Sequence, residues 1–229
     1  MNTNDLKNLP LTDWRKAFPL LSRDASNKLL MKQDVAVVGL YFQRVKMIDV
    51  YYRPLLIGFP LWKDSIERCL NPFFMQGFRN HKHLQLDIPI EQHAQQFEQA
   101  LRHVQEQSFG LLKDEVKAED WIKFLDYHRS HDVMLLNVFF KQADFLKHRL
   151  VIGLYLDDKK LIQSACDNAE KEMQYWKKYD SFERNMGKMD VWRENFYNMI
   201  GQRDEIMERI RINSMDKRFA RLKESHLIL

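Results

Sequence analysis

An all-α fold is what this sequence predicts, on three observations. Leu, Lys, Glu, Gln, Met and Arg are favoured, and these side chains lose little rotamer freedom in a helix. Only 7 Gly and 6 Pro occur in 229 residues, which leaves few places for β-turns. Apolar residues recur at helical spacing, while period-two alternation is nearly absent. The expected architecture is a set of stacked helical hairpins, as a bundle or short solenoid-like array. It forms one domain over 1–229, with an irregular N-terminal arm over 1–22.

Pro10 and Pro19 punctuate the arm. Leu30, Val37, Val38, Tyr41, Val45, Ile48 and Tyr52 then mark one long helix ending before Pro54. Asp34 interrupts its stripe; it reads as a helix edge reaching water or as a carboxylate bonding a neighbouring helix or ligand, with no catalytic role. From Pro60 a second helix runs through Trp62, Ile66 and Leu70, and Pro72 kinks or ends it before the core aromatics Phe73, Phe74 and Phe78.

A loop over 80–87 leads to Asp87-Ile88-Pro89, which opens a helix with Ile90, Phe97, Leu101 and Val104 on its apolar face. Gly110 closes that region. Trp121, Phe124 and Leu125 define a short helix, and Ser130 and Asp132 cap the long apolar helix that follows. That helix, over 133–156, is no membrane span, because Lys141, Asp144, Lys147 and Arg149 fall within it and each charge at bilayer depth costs about 2.5 to 3.5 kcal/mol.

Beyond the Asp157-Asp158 turn, Leu161, Ala165, Ala169, Met173 and Trp176 form a narrow stripe that lets another helix approach closely. The clearest pattern lies over 190–210. Trp192, Phe196, Met199 and Ile200 precede Gly201, and Asp204 opens a second helix bearing Ile206, Met207 and Ile210. Superposing the two hairpins suggests a weak repeat of roughly 45 residues.

Charge and chemistry narrow the function. A net charge of +4 with interspersed signs marks no nucleic-acid binder. Cys69 and Cys166 suit buried free thiols in a reducing compartment, and the absence of a secretory pattern at the N-terminus points to the cytoplasm. Cys166 lacks a basic neighbour to lower its pKa. No G-x-S-x-G, Walker, G-x-G-x-x-G or H-E-x-x-H motif occurs, so no cofactor is expected. Asp126, His128, His131 and Asp132 gather imidazoles and carboxylates that a helical metal-dependent hydrolase could use. Further ligands would have to come from His93, His103 or Asp144, and a polar helix junction with Asp132 as N-cap explains the cluster without metal. His81-Lys82-His83 reads as a solvated loop.

Two faces carry opposite charge. Asp114, Glu115, Glu119, Asp120 and Asp126 stand against Lys117 and Lys123, whereas Lys217, Arg218, Arg221 and Lys223 lie on a closing helix or tail. Such patches steer protein partners.

The final hairpins, with Trp192, Phe196, Ile200, Arg203-Asp204 and Ile206-Met207 in sequence, resemble the all-helical immunity proteins of the immunity-protein-forty-nine family, which protect bacteria from polymorphic toxins. The resemblance covers about the last third and leaves 1–132 unmatched. It implies stoichiometric binding of a cognate protein toxin, of the kind delivered by type VI secretion, with no catalysis, metal, cofactor, nucleic acid or membrane. Asp114, Glu115, Glu119, Asp120 and Asp126 are the expected contact surface. The rival readings are the hydrolase of 126–132 and a scaffold or adapter with a peptide groove.

Overall fold

The computed structural model describes residues 10–46, 50–131, 138–179 and 181–229. Helix accounts for 52% of the chain and strand for 23%, so the fold is mixed α/β and the all-α expectation is overturned.

The N-terminal part is mainly strand. Helix α1 (Leu11–Ala17) leads into β1 (Ser22–Ala25), β2 (Lys28–Gln33), β3 (Ala36–Lys46) and β4 (Val50–Pro60). A single helical turn, α2 (Ile66–Cys69), precedes β5 (Phe74–Gly77) and β6 (Ile88–Pro89), and a 3-10 turn (Ile90–Gln92) opens α3 (His93–Gln107). The remainder is mainly helix: β7 (Glu115–Lys117), α4 (Ala118–His131), α5 (Phe139–Tyr155), α6 (Lys159–Trp176), α7 (Ser181–Met186), α8 (Met189–Gly201) and α9 (Arg203–Ser214), closed by β8 (Glu224–Ile228).

Among the described residues the strands form one curled, half-barrel sheet in the order β5-β4-β3-β2-β8-β7, with β1 on β2 and β6 on β4. The pairings within β1–β6 are antiparallel. β8 runs parallel to both β2 and β7, which brings the C-terminal segment into the sheet between them.

The segment expected to be one long helix is β2, β3 and β4. Residues 29–31, 35–40 and 54–60 are buried without a break, so both faces of these strands are covered. A strand buried on both faces is apolar at nearly every position and therefore satisfies helical spacing by accident. Two tight turns, Ser26-Asn27 and Asp34-Val35, make the hairpins. Asp34 takes φ 40°, a left-handed conformation that Asp tolerates better than most residues. Pro54 falls between the part of β4 that pairs with β5 and the part that pairs with β6, where the ladder on that side is interrupted.

Further corrections follow from the same non-local pairing. The helix expected from Pro60 through Leu70 is reduced to α2, and Phe74 lies in β5. Phe74 lays its ring across Gly58, where a Cβ would meet it at 2.1 Å. The arm is not irregular throughout, since α1 buries Trp14 completely. Ser130 lies inside α4 instead of capping the next helix, and Asp132 is outside the described residues. The basic segment 217–223, expected on a closing helix or tail, is a run of turns that leads into the strand β8.

The helical expectations beyond residue 139 fare differently. α5 and α6 form a hairpin in which Asp158 caps α6 by accepting the Leu161 amide at 2.8 Å. Ala165, Ala169, Met173 and Trp176 are buried along its stripe. α8 and α9 form the second hairpin with Trp192, Phe196, Ile206 and Ile210 buried. Arg203 joins the two, its Nε donating to the Leu154 carbonyl at 2.8 Å. Two hairpins beside a sheet are not a solenoid, so that part of the expected architecture falls as well.

Candidate functional site

The acidic segment lies where β7 meets α4, beside the end of β8. Glu115 stands opposite His226 in the β7–β8 register, and the His226 amide donates to the Asp114 carbonyl at 2.8 Å. The structure divides the five expected contact residues. Glu119 is held by Lys123 at 2.7 Å, and that hydrogen bond keeps its carboxyl below the usual range. Asp126 receives two bonds from Arg149, at 2.8 and 3.1 Å. Asp114 and Glu115 are exposed and Asp120 is half-buried; among the described residues none of the three has an ion-pair partner within 4.0 Å.

Behind this edge, a depression of 260 Å³ opens between the β2–β3 turn, β8 and α9, lined in part by Lys32, Asp34, Tyr155, Arg211 and Glu224. Its polar groups are largely committed. Lys32 pairs with Glu224 at 2.8 Å, and Arg211 with Glu208 at 2.7 Å. Asp34 accepts the Leu227 amide at 2.7 Å and lies 3.7 Å from the His226 ring, so it anchors β8. Burial, reinforced by Asp34, pushes the Tyr155 phenol up to about 12, further from ionisation. Of the two readings of Asp34, the bond to a neighbouring element holds, although that element is a strand.

Deeper still, Gln33 joins three segments: Trp121 Nε1 donates to its Oε1 at 2.7 Å, and its Nε2 donates to Leu111 O at 2.8 Å and, more weakly, to Ser225 Oγ at 3.5 Å. No sequence pattern pointed to this buried amide.

Among the described residues the hydrolase candidates are not brought together. His128 is buried, stacked on Phe124 with centroids 5.6 Å apart and set edge-on to Phe74. Asp126 is turned to Arg149 and Asp144 to Lys63, while His93 lies with α1 and β4. The side chains of His131 and Asp132 are outside the described residues. Among the described residues no three His, Cys, Asp or Glu side chains form a group able to hold a metal ion. Both cysteines are buried and unbridged, and burial pushes the Cys69 thiol up to about 11 and raises that of Cys166, opposing thiolate chemistry. No described helix is long and apolar enough to cross a membrane.

What fold and surface together define is a mixed α/β protein in which, among the described residues, Lys32 and Glu224 of the cleft pair with each other while Asp114 and Glu115 on the exposed edge have no ion-pair partner. The chain matches no protein-family model, and neither a curated protein nor a solved structure is significantly similar to it.

Proposed function

We propose that this protein works by stoichiometric binding, as an immunity protein that neutralises a cognate bacterial toxin. The observation that carries the reading is the contrast in pairing. In the Asp34 cleft Lys32 pairs with Glu224, Arg211 with Glu208, and Asp34 with the Leu227 amide, whereas among the described residues Asp114, Glu115 and Asp120 have no ion-pair partner at the β7–α4 edge. Unpaired charge on a surface favours steered association with a partner of opposite sign, and none of the groups in the cleft is poised as a nucleophile or base.

The resemblance adds support from separate residues. Trp192, Phe196 and Ile206 are core residues of α8 and α9, and the Arg203 of the Arg-Asp pair bonds the preceding hairpin. On this reading the residues that carry the resemblance are packing residues, and contact would fall to the acidic edge. An all-helical family has no counterpart for β8, so the likeness extends to the helices alone.

Co-expression tests the reading. A neighbouring reading frame is expressed alone and with this chain, and surviving colonies are counted. Rescue from a toxic neighbour is the expected result; a harmless neighbour, or toxicity without rescue, sinks the proposal.

A further inference from the structure

At the end of α6 two tyrosines stand in solvent as a fixed pair. Tyr175 and Tyr179 are 42% and 38% exposed, yet their hydroxyls are hydrogen-bonded at 2.6 Å and their rings meet edge-to-face at 5.2 Å. The pair rests on the core, because Tyr179 packs on Phe139, which in turn packs on Trp176 and Phe182. Aromatic anchors held in one conformation lose little entropy on binding, and Tyr is enriched among residues that dominate interface energy.

The charge around the pair is mainly cationic, with Glu183 on the Tyr179 side as the exposed exception. Lys171, Lys177 and Lys178 are exposed and, among the described residues, none has a carboxylate within 4.0 Å. Lys178 Nζ lies 5.9 Å from the Tyr175 ring centroid, within cation–π range. A depression of 560 Å³ lies on one side, lined in part by Lys171, Glu172, Tyr175 and Lys178. Arg129 is ion-paired with Glu172, which neutralises the one carboxylate in that lining. A smaller depression of 200 Å³ lies beside Tyr179, with Lys177 and Glu183 both in its lining, so the cationic excess lies on the Tyr175 side. The α6 dipole favours cations at this end. It does not account for two exposed, mutually bonded rings among them.

We propose that Tyr175 and Tyr179, with Lys171, Lys177 and Lys178, form a docking surface for an acidic segment of a partner protein. The partner's carboxylates meet the three ammonium groups, and its apolar side chains lie on the tyrosine rings. This surface is distinct from the acidic β7–α4 edge and does not depend on the partner being a toxin.

A random-peptide display library selected on the full-length protein tests this. The expected result is enrichment of Asp/Glu-rich sequences with apolar residues interspersed. Synthetic peptides from that set should lose affinity about tenfold with the K171E/K177E/K178E variant and with Tyr175→Ala, as for loss of a typical anchor. Because all three lysines are exposed, the charge-reversed protein should still unfold in one cooperative transition, its Tm lowered by no more than the few degrees that placing anions at the α6 C-terminus entails, which separates lost contact from lost fold. Recovery of no consensus, or of neutral or basic sequences, overturns the proposal, as does equal binding by the charge-reversed protein. Tighter, lysine-dependent binding of oligouridine or of phosphatidylserine vesicles than of the selected peptides would assign the surface to another polyanion and overturn it too.

Discussion

Tyr52 and His93 are joined at 2.7 Å, Oη to Nδ1, in the middle of a four-residue chain of hydrogen bonds that ties α1 to the sheet and to α3. Trp14 Nε1 donates to Tyr52 Oη at 3.2 Å, so the tyrosine's own proton goes to His93 Nδ1. His93 Nε2 is then the protonated nitrogen and donates to Asp13 at 3.2 Å. Every donor has one acceptor. Burial holds the Tyr52 phenol well above its ordinary value, which preserves the proton the chain requires.

Replacing Tyr52 with Phe keeps the ring and removes the central link. Trp14 Nε1–H and His93 Nδ1 are then left without partners in a buried site, at a cost of about 1 to 3 kcal/mol. Urea unfolding measures this, and a change below about 0.5 kcal/mol would show that water replaces the link.

Gly153→Ala should destabilise the α5–α6 hairpin although Ala is intrinsically the better helix former by about 1 kcal/mol. A Cβ at position 153 would lie 2.9 Å from the Ile162 backbone nitrogen, so the two helices must separate. Overpacking of this kind costs about 1 to 3 kcal/mol, and thermal unfolding should report a lower Tm. A higher Tm would mean that the helices adjust freely.

Stability should depend on pH through His148. Burial, with help from the Lys63 charge, pushes its pKa down to about 3, while Nδ1 accepts a bond from Trp62 Nε1 at 3.0 Å. The unfolded histidine titrates near 6.5 and therefore binds more protons than the folded one between those values. Its contribution is complete above about 6.5 and is lost as pH falls from there towards about 3, with a slope of at most about 1.4 kcal/mol per pH unit. His148→Phe should be less stable at neutral pH, because Trp62 loses its acceptor, but its unfolding free energy should vary less between pH 6.5 and 4. Equal pH slopes in the two proteins would remove His148 as the cause.

On the acidic edge, changing Asp114, Glu115 and Asp120 together to Lys should leave stability within about 1 kcal/mol, since no ion pair among the described residues is lost. With a cognate toxin, the association rate should fall about tenfold at low salt and the dissociation rate should change little, as expected for steering charges. Stopped-flow measurement at two ionic strengths distinguishes this from loss of a buried anchor.

Legibility followed the range of the contacts. The α8–α9 hairpin was readable because Trp192, Phe196, Ile206 and Ile210 repeat on one face within two short segments. The β2–β4 sheet was not, because Val35, Ala36, Val37 and Val38 are all buried and show no alternation. Their β-branched enrichment and the flanking Asn27 and Asp34 turns were the available signals. β8 did alternate, with Ser225 and Leu227 inward and Glu224 and His226 outward, but five residues among many polar ones gave it little weight. At the candidate site, the sequence identified the acidic run but not which charges were spent. Lys123 is one turn from Glu119 and could be anticipated, whereas Arg149 reaches Asp126 from another helix.

The sequence by itself determined the two C-terminal hairpins, the turn at Asp157-Asp158 and the small-residue stripe through Ala165 and Ala169, since helical hydrogen bonds and neighbouring faces lie within four residues. Tertiary structure alone decided that β2, β3 and β4 are strands of one sheet, that β8 lies between β2 and β7, and that, among the described residues, Asp114, Glu115 and Asp120 have no ion-pair partner. Strand pairing and ion pairing across elements join residues as far apart as Lys32 and Glu224, and a contact over that separation leaves no periodic trace in the chain.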